Sequence, residues 1–403
     1  MKTIIHIDFD SFFASCEQQL TPQYRGKPVG VTATNGRNCI IASSVEAKRL
    51  GIETAASAWQ AKELYPELIL TPARFEEYWE ISKKFVDICK DFTPYLEVFS
   101  IDEVFMDVTP TLHLFHSAEN IVGMIKKRIR TEIGEYTTVS AGISYNKLLA
   151  KLASGLKKPN GIFEITKENR KKVYMMVPLK KICGIGSRIL FRLNAMGIYT
   201  LPDLATASLS NLIAGFGKVE GNFLKQVGLG YDESTLTLYT DREDRKSVGR
   251  QYCLPGNEFD ERAVLQNIYE LSEEISIKLR KHEKEGSRVS LYLGGDESRH
   301  DAITLPCYIS SGKEIYAACK FIYDAWGLFE NNESYVRRIG ITVSVLQNKG
   351  GVQLSFLGNP LKQQKIIKTI DAINTKFGDH TIRNGFLLYA DKLTTKPNGF
   401  VGE

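Results

Sequence analysis

The stretch Tyr95-Leu-Glu-Val-Phe-Ser-Ile-Asp102-Glu103-Val-Phe-Met-Asp107 decides how this 403-residue chain is read. Apolar runs on either side of Asp102-Glu103 predict strands over 95–100 and 103–108, joined by a tight turn at the acidic pair. Successive side chains of a regular strand face opposite ways, so these two acids serve one site only if the turn lies between the runs and breaks the alternation. A second acidic element stands at the N-terminus. The strand Thr3-Ile4-Ile5-His6-Ile7 is apolar on both faces, and Asp8 at its end has no structural purpose there. Asp10 follows at i+2, on the same side if the chain stays extended. Carboxylates gathered at strand ends in an apolar sheet repel one another and take up protons unless cations hold them. Hard oxygen donors suit Mg²⁺, with Mn²⁺ a second candidate, and two such ions about 4 Å apart activate an attacking hydroxyl and stabilise a leaving pyrophosphate.

Outward from these acids, the pattern is mixed α/β to about residue 165. Strands are expected at 3–8, 28–33, 38–42, 95–100, 103–108, 137–143 and 161–165, and helices at about 11–19, 44–50, 57–65, 75–90, 117–133 and 146–156. Residues 166–232 lose the strand pattern and read as helical, with ten Lys/Arg against four Asp/Glu. A polar stretch over 233–245 reads as a linker. After it comes the order strand 247–253, helix 260–282, strand 287–294, strand 301–307, helix 312–326, strand 335–346, a split βαβ arrangement. The break Lys349-Gly350-Gly351 introduces a tail with a helix at 360–377 and a strand at 384–390. A composition of 43% apolar and 25% charged residues is that of a folded globular protein, and no apolar run is long enough to span a membrane. The seven cysteines form no CxxC pair, which points to reduced thiols in a cytoplasmic protein.

The run Asp8-Phe9-Asp10-Ser11-Phe12-Phe13-Ala14, taken with Ser100-Ile101-Asp102-Glu103, resembles the paired palm motifs of the Y family of lesion-bypass DNA polymerases. Val45 and Lys48, where many members carry Tyr and Arg, are similar to the UmuC-like (ImpB/MucB/SamB) branch. The lysine there is a point charge in place of a bidentate guanidinium. The resemblance implies that Asp8, Asp102 and Glu103 are catalytic and bind the metals, with the backbone carbonyl of Phe9 as a further ligand. It implies that Phe13 is the steric gate beneath the sugar, excluding a 2′-hydroxyl, with Phe12 beside it. Without it both rings read as core residues. It also implies that Lys48 and Lys158 meet the triphosphate. Lys147, in the run Ser144–Ala153, belongs to a palm motif without being made catalytic, and Ser144 or Asn146 caps the helix that starts there.

Leu179-Lys180-Lys181-Ile-Cys-Gly184-Ile-Gly186-Ser-Arg188 resembles a helix–hairpin–helix element. Its glycines let backbone N–H groups approach a phosphate, and Lys180, Lys181 and Arg188 add charge. Arg250 looks like part of the entry to the little finger, whose expected DNA face draws on Tyr292, Arg299, Arg337 and Arg338. The segment Gln353-Leu354-Ser355-Phe356-Leu357 resembles a sliding-clamp docking peptide, although the usual order is Leu-Phe.

The reading is an α+β multidomain right-hand polymerase. Palm and fingers occupy 1–165 (fingers about 19–74), a helix–hairpin–helix thumb 166–232, a linker 233–245, a βαββαβ little finger 246–346, and a tail 347–403. Its expected activity is low-fidelity translesion synthesis, joining a dNTP to a primer 3′-hydroxyl with two metal ions. Primer-template DNA, dNTPs, a sliding clamp and a UmuD-like accessory protein are the expected partners. Two other readings stay open: a catalytically weak DNA-binding and clamp-docking protein, and a palm-type nucleotide cyclase. A cyclase has no use for the basic helical segment or the second α/β unit.

Overall fold

The computed structural model describes residues 2–33, 39–241, 244–328, 334–350, 360–378, 381–388 and 390. The chain divides at residues 242–243 into two units.

In the first unit the strands are β1 (Ile4–Phe9), β2 (Val29–Thr32), β3 (Ile40–Ser43), β4 (Ile69–Pro72), β5 (Leu96–Val98), β6 (Glu103–Asp107), β7 (Val139–Ser144) and β8 (Ile162–Glu164). Five of them form a sheet in the order β5-β6-β1-β7-β8, with β1 in the middle and antiparallel to both neighbours. The register sets Asp8 opposite Glu103 on one side and Ser140 on the other. Alternation along β1 sends Ile5, Ile7 and Phe9 into the main core, which the helices Phe75–Lys90 and Ala118–Arg128 complete. Ile4, His6 and Asp8 take the other face. There the helix Lys147–Ser154 lies over the sheet, its Ala150 packed against Ile4 and Phe105. Gly142 makes that approach possible, because a Cβ there would stand 2.1 Å from the Ala150 carbonyl oxygen and 2.2 Å from the Ser154 nitrogen.

A second, three-stranded sheet, β3-β2-β4, has its own small core of Ile40, Ala47, Ile52, Ala58, Ala61 and Leu68. The sequence reading has no strand at β4. This four-residue edge strand ends in proline and pairs parallel with β2 alone, so neither length nor alternation marks it. Residues 170–229 form five helices around Leu193, Leu204, Leu212 and Leu224, and Leu149 and Leu152 of the helix Lys147–Ser154 extend the same core. The expected linker begins as a strap rather than a free tether. Leu236 packs on Ile4, Phe105 and Ala150, Thr237 N–H donates to Glu97 at 2.8 Å, and Tyr239 N–H donates to the Leu96 carbonyl at 3.0 Å.

The second unit holds β9 (Ser247–Glu258), β10 (Lys284–Gly295), β11 (Ser298–Ile309) and β12 (Val336–Asn348), in the order β11-β10-β12-β9. The helices Glu261–Lys281 and Gly312–Asp324 share a core with the inward residues of these strands. The chain order is the βαββαβ read from the sequence. The tail helix Pro360–Phe377 is tied to the unit by Asp371, which accepts from Arg280 Nε at 2.7 Å and Nη2 at 2.6 Å. Where a strand is expected at 384–390, the described residues hold a 3₁₀ turn instead, Gly385–Leu387. The Asn384 side chain accepts from Phe386 N–H at 2.9 Å, a local bond that competes with a ladder. No helix among the described residues is long and apolar enough to cross a membrane.

Candidate active site

The acidic turn forms where the apolar flanks place it. Phe99 N–H and Ser100 N–H both donate to the Glu103 carbonyl, at 3.1 and 3.2 Å, and Phe9 N–H donates to the Asp102 carbonyl at 3.0 Å. Asp102 therefore sits in the turn beside the end of β1, while Glu103 opens β6 opposite Asp8. Burial raises the Asp102 carboxyl above the usual carboxylate range, and the charges of Asp8 and Glu103 raise it further. The hydrogen bond from Ser100 Oγ, at 2.5 Å, only partly opposes them. Burial also pushes on Glu103, but hydrogen bonds and charge from His6 and Lys151 outweigh it and hold the group at about 2.

His6 is fully buried, with Nε2 3.0 Å from Glu103 Oε2 and Nδ1 2.8 Å from Ser154 Oγ. Burial holds its pKa below the ordinary histidine value. His6, Asp8 and Glu103 each bring a ligand-capable atom within 4.8 Å of the others. Lys147 and Lys151, one turn apart on the covering helix, pair with Glu97 and Glu103. Asn146, not Ser144, caps that helix, accepting from Leu149 N–H at 2.9 Å.

Asp10 does not join the cluster. The chain leaves the sheet after Phe9 and passes through a left-handed Ser11, and Asp10, only 2% exposed, turns toward β7. Its carboxylate accepts from Thr138 Oγ1 at 2.8 Å, Ser140 Oγ at 2.7 Å and Asn160 N–H at 2.7 Å. It thereby locks the 157–161 turn against the sheet. That turn presents Lys158, whose ammonium pairs with Asp8 and lies 3.3 Å from the Phe9 carbonyl oxygen. Lys48 stands on the helix Val45–Arg49, which Ser44 caps. Desolvation and the nearby Lys158 charge hold Lys48 below the ordinary lysine range. Two cations thus stand near the acidic cluster.

Phe13 is 9% exposed and stacks on Tyr78, with centroids 4.8 Å apart and planes 16° apart. Phe12 is buried between Phe9, Phe13 and Tyr78, a packing position rather than a contact surface. Beneath them Glu17, buried, accepts from Tyr78 Oη at 2.6 Å and from Arg74 Nε and Nη2 at 3.0 and 2.5 Å. This three-way bond fixes the Tyr78 ring under Phe13. Sequence reading missed Glu17, Arg74 and Tyr78. It also missed His6, although a histidine within an apolar strand carries the same signal that singled out Asp8.

In the helical segment Lys180, Lys181, Gly184, Gly186 and Arg188 are all exposed. Gly184 has φ +94 and lies where a Cβ would stand 2.9 Å from the Phe223 ring, and Gly186 is the N-cap of the helix Ser187–Ala195. Exposed cations therefore surround the start of that helix, whose first N–H groups have no partner within the helix itself.

Arg250 departs from its expected role. The alternation of β9 turns it to the helix side, where it is buried and donates from Nε to Glu274 Oε2 at 2.6 Å. On the open face of the second sheet stand Tyr292, His300 and Arg338, around a floor of Gly249, Ser290, Gly340 and Thr342. The Arg338 guanidinium lies 5.8 Å from the centre of the Tyr292 ring. Arg299, opposite the buried Leu293, takes the other face, whereas Arg337 falls at a register shift of β12 between Val336 and Arg338. Gln353, Leu354, Phe356 and Leu357 lie outside the described residues.

Two domains of one family match this chain: the impB/mucB/samB family over residues 7–155 and its C-terminal domain over 245–356. A DNA polymerase IV of Clostridium perfringens (strain 13 / Type A) is 34% identical over 349 residues, covering 86% of this chain and 95% of that one. A DNA polymerase IV of Acetivibrio thermocellus is 30% identical over 396 residues, covering 96% and 98%. Among solved structures, a Y-family DNA polymerase chimera of Dbh and Dpo4 superposes with a TM-score of 0.74 at 27% identity, over 85% of this chain and 98% of that one. An insertion ternary complex of Dbh DNA polymerase does so with a TM-score of 0.57 at 26% identity, over the same shares. The chain belongs to the impB/mucB/samB family, and it is a Y-family, translesion DNA-directed DNA polymerase.

Proposed function

We propose that Asp8, Asp102, Glu103 and the Phe9 carbonyl are the metal ligands of this polymerase, and that the metal is Mg²⁺. The observation that carries the reading is the register of Asp8 against Glu103, with Asp102 in the adjoining turn and Lys158 and Lys48 nearby. The donor set fits the ion: three carboxylates and a carbonyl are hard oxygen ligands, and the nearby imidazole nitrogen, His6 Nε2, is engaged by Glu103. When bound, two such ions would lower the pKa of the primer 3′-hydroxyl and neutralise the departing pyrophosphate.

The chain's own side chains do the rest. The primer 3′-oxygen forms a bond to the α-phosphorus of the dNTP as the bond to the bridging oxygen breaks and pyrophosphate leaves. Lys158, paired with Asp8 before substrate arrives, exchanges that partner for triphosphate oxygens, and Lys48 adds a second cation. Phe13, held flat by Tyr78, lies under the sugar and excludes a 2′-hydroxyl, while Phe12 supports it from the core. Residues 1–165 act as palm and fingers, 166–232 as a thumb that grips duplex phosphate through 180–188, and 246–346 as a little finger. Asp8→Ala or Asp102→Ala, in preparations free of other polymerases, abolishes primer extension while primer-template binding persists. Substantial residual extension would remove these residues from the metal site.

We assign the segment 353–357 to docking on a sliding clamp, on the strength of its polar lead and apolar anchors, and the enzyme to the cytoplasm. Clamp tethering supplies effective concentration without tighter DNA contacts. Replacing Gln353, Leu354 and Phe356 by Ala removes stimulation by loaded clamp and leaves clamp-free extension unchanged. Equal loss of both activities would make the segment structural. A UmuD-like accessory protein remains a candidate partner, tested by whether its addition changes lesion bypass in a clamp-free assay.

A further inference from the structure

Among the described residues, both hydrogen-bond partners of the Glu103 carboxylate meet a single oxygen. His6 Nε2 lies 3.0 Å from Oε2, and Lys151 Nζ pairs with the same atom. No hydrogen bond among the described residues reaches Oε1. The two donors come from opposite sides: His6 from β1, two residues before Asp8 and on the same face of the sheet, and Lys151 from the helix that covers that face. Ser154, three residues after Lys151 on that helix, reaches the other ring nitrogen of His6 at 2.8 Å. The imidazole is confined further by the Phe105 ring, 4.5 Å away between centroids.

The protonation pattern of this chain of groups follows from its chemistry. An ionised carboxylate only accepts, so His6 Nε2 carries a proton toward Glu103. In a neutral ring Nδ1 is then an acceptor, and the Ser154 hydroxyl is the donor beside it. The Lys151 carbonyl, 2.9 Å from Ser154 Oγ, is the alternative acceptor that this hydroxyl gives up. Ser154 therefore selects the tautomer that presents N–H to the carboxylate.

We propose that His6, its tautomer fixed by Ser154, and Lys151 form a tether behind Glu103 that holds Oε2 and reserves Oε1 for the metal. His6 and Ser154 are positioning residues: they act through Glu103 and touch neither metal nor substrate. The division of labour has a physical basis. A neutral imidazole orients the carboxylate without cancelling the charge a cation needs, and Lys151 supplies counter-charge while no cation is present. Partners of metal ligands set in this way typically change metal affinity or activity by about 10–100-fold when removed.

The proposal rests on Glu103 being a metal ligand, and the test separates the two ideas. Full-length enzyme on a dideoxy-terminated primer-template, with the correct dNTP bound, is titrated with Mn²⁺, and free Mn²⁺ is read by electron paramagnetic resonance. No turnover is involved. His6→Leu fills the ring's space without an N–H, whereas His6→Gln keeps a donor. The tether requires His6→Leu to weaken Mn²⁺ binding by about 10-fold or more and His6→Gln to stay within about threefold of wild type. The Mg²⁺ concentration that half-saturates single-turnover extension should shift in parallel. If the two variants lose equally, or if Leu binds as wild type does, His6 is a packing residue and the tether is wrong. Ser154→Thr against Ser154→Ala repeats the comparison one step further out, and decides the matter if His6→Leu fails to fold. Glu103→Gln is the control. Unchanged Mn²⁺ binding there would overturn the metal-site assignment itself, while weakened binding there with a wild-type His6→Leu overturns the tether alone.

Discussion

The chain builds a sheet with helices packed on one face twice, and the two remaining faces could hardly differ more. In the first unit, the face carrying His6, Asp8 and Glu103 is partly roofed by the helix Lys147–Ser154, and its charges are half-buried, short-ranged and paired with lysines. In the second unit, the face is floored by Gly249, Ser290, Gly340 and Thr342, with its aromatic and cationic groups above them. Arg250, buried on the helix side of that sheet, is neutralised by Glu274. Gathering acids in a poorly solvated pocket raises their energy, which bound cations and substrate then relieve. Lying against a polyanion needs the opposite: a shallow floor and cations that stay hydrated until they meet it. On the proposed roles, one architecture serves chemistry in one unit and grip in the other, according to which face keeps its charges dry.

The sharpest way to break this contrast is at the acids themselves. Asp102→Asn and Glu103→Gln should each lower extension by roughly 10²–10³-fold or more, measured by single-turnover kinetics. Their effects on metal-free stability should have opposite signs. Asp102 has its folded pKa raised above the ordinary 3.8, so the folded state is penalised once pH exceeds that raised value. Asp102→Asn therefore raises the melting temperature in EDTA at neutral pH, and the gain fades as pH falls through the folded pKa toward 3.8. Glu103 has its pKa lowered from 4.5 to about 2, so its pairing stabilises the fold above 4.5 and is lost as pH falls toward 2. Glu103→Gln accordingly destabilises at neutral pH, and the deficit disappears at the acid end. Same-sign shifts in a melting scan across pH would show that the two acids share one environment.

On the second sheet the corresponding probe is Arg250. Because its guanidinium is buried against Glu274, Arg250→Ala breaks a buried ion pair and should destabilise the protein by about 3–5 kcal/mol, read by urea denaturation. Arg338→Ala, on the open face, should leave stability nearly unchanged and weaken DNA binding instead. The reverse pattern would put Arg250 on the DNA and take Arg338 off it.

What the sequence disclosed, and what it withheld, follow the same physical division. Most helices were legible to within a residue or two, whereas β9, β10 and β11 run three to five residues past their expected bounds. The helix expected at 75–90 is Phe75–Lys90, and the second unit has the expected order of strands and helices. The acids were legible because a charge at the end of an apolar strand has few structural uses. Their supports were not, because they depend on contacts between distant parts of the chain. His6 meets Glu103 across 97 positions, Lys151 meets it across 48, and Asp10 meets Asn160 across 150. No spacing rule would have told Asp8, in the pocket, from Asp10, which holds a turn. Arg250 was misread for a related reason. Its charge is evident in the sequence, but the face it takes depends on the register of β9 against β12.

A smaller effect tests the gate. Phe13 stacks on Tyr78 with little of its surface exposed, so Phe13→Ala would also open a core cavity, at about 3–5 kcal/mol. Phe13→Leu is the cleaner probe: it keeps most of the volume and removes the flat plate. It should lower discrimination between dNTP and rNTP by about 10–100-fold, with dNTP use retained. Unchanged discrimination would move the gate to another residue.

The smallest change expected is in the proposed thumb, where binding would be spread over several weak interactions. Lys180, Lys181 and Arg188 are exposed around the N-terminus of the helix Ser187–Ala195, with Gly184 and Gly186 admitting a close approach of backbone. Interactions of this kind reach phosphate and carry no sequence information. Replacing all three by Ala should therefore weaken binding to every primer-template alike, with extension at saturating DNA little affected. The diagnostic is the salt dependence, since each duplex phosphate that the variant leaves unneutralised flattens the slope of log K against log salt by roughly 0.9. If all three cations sit on phosphates, the slope flattens by about 2.7, and a smaller change reports how many of them touch DNA at once. The N–H groups of the helix start remain in the triple variant, so residual binding should persist. An unchanged slope, or a weakening that depends on sequence, would mean that this segment does not grip the backbone, and that the second unit's open face carries the duplex on its own.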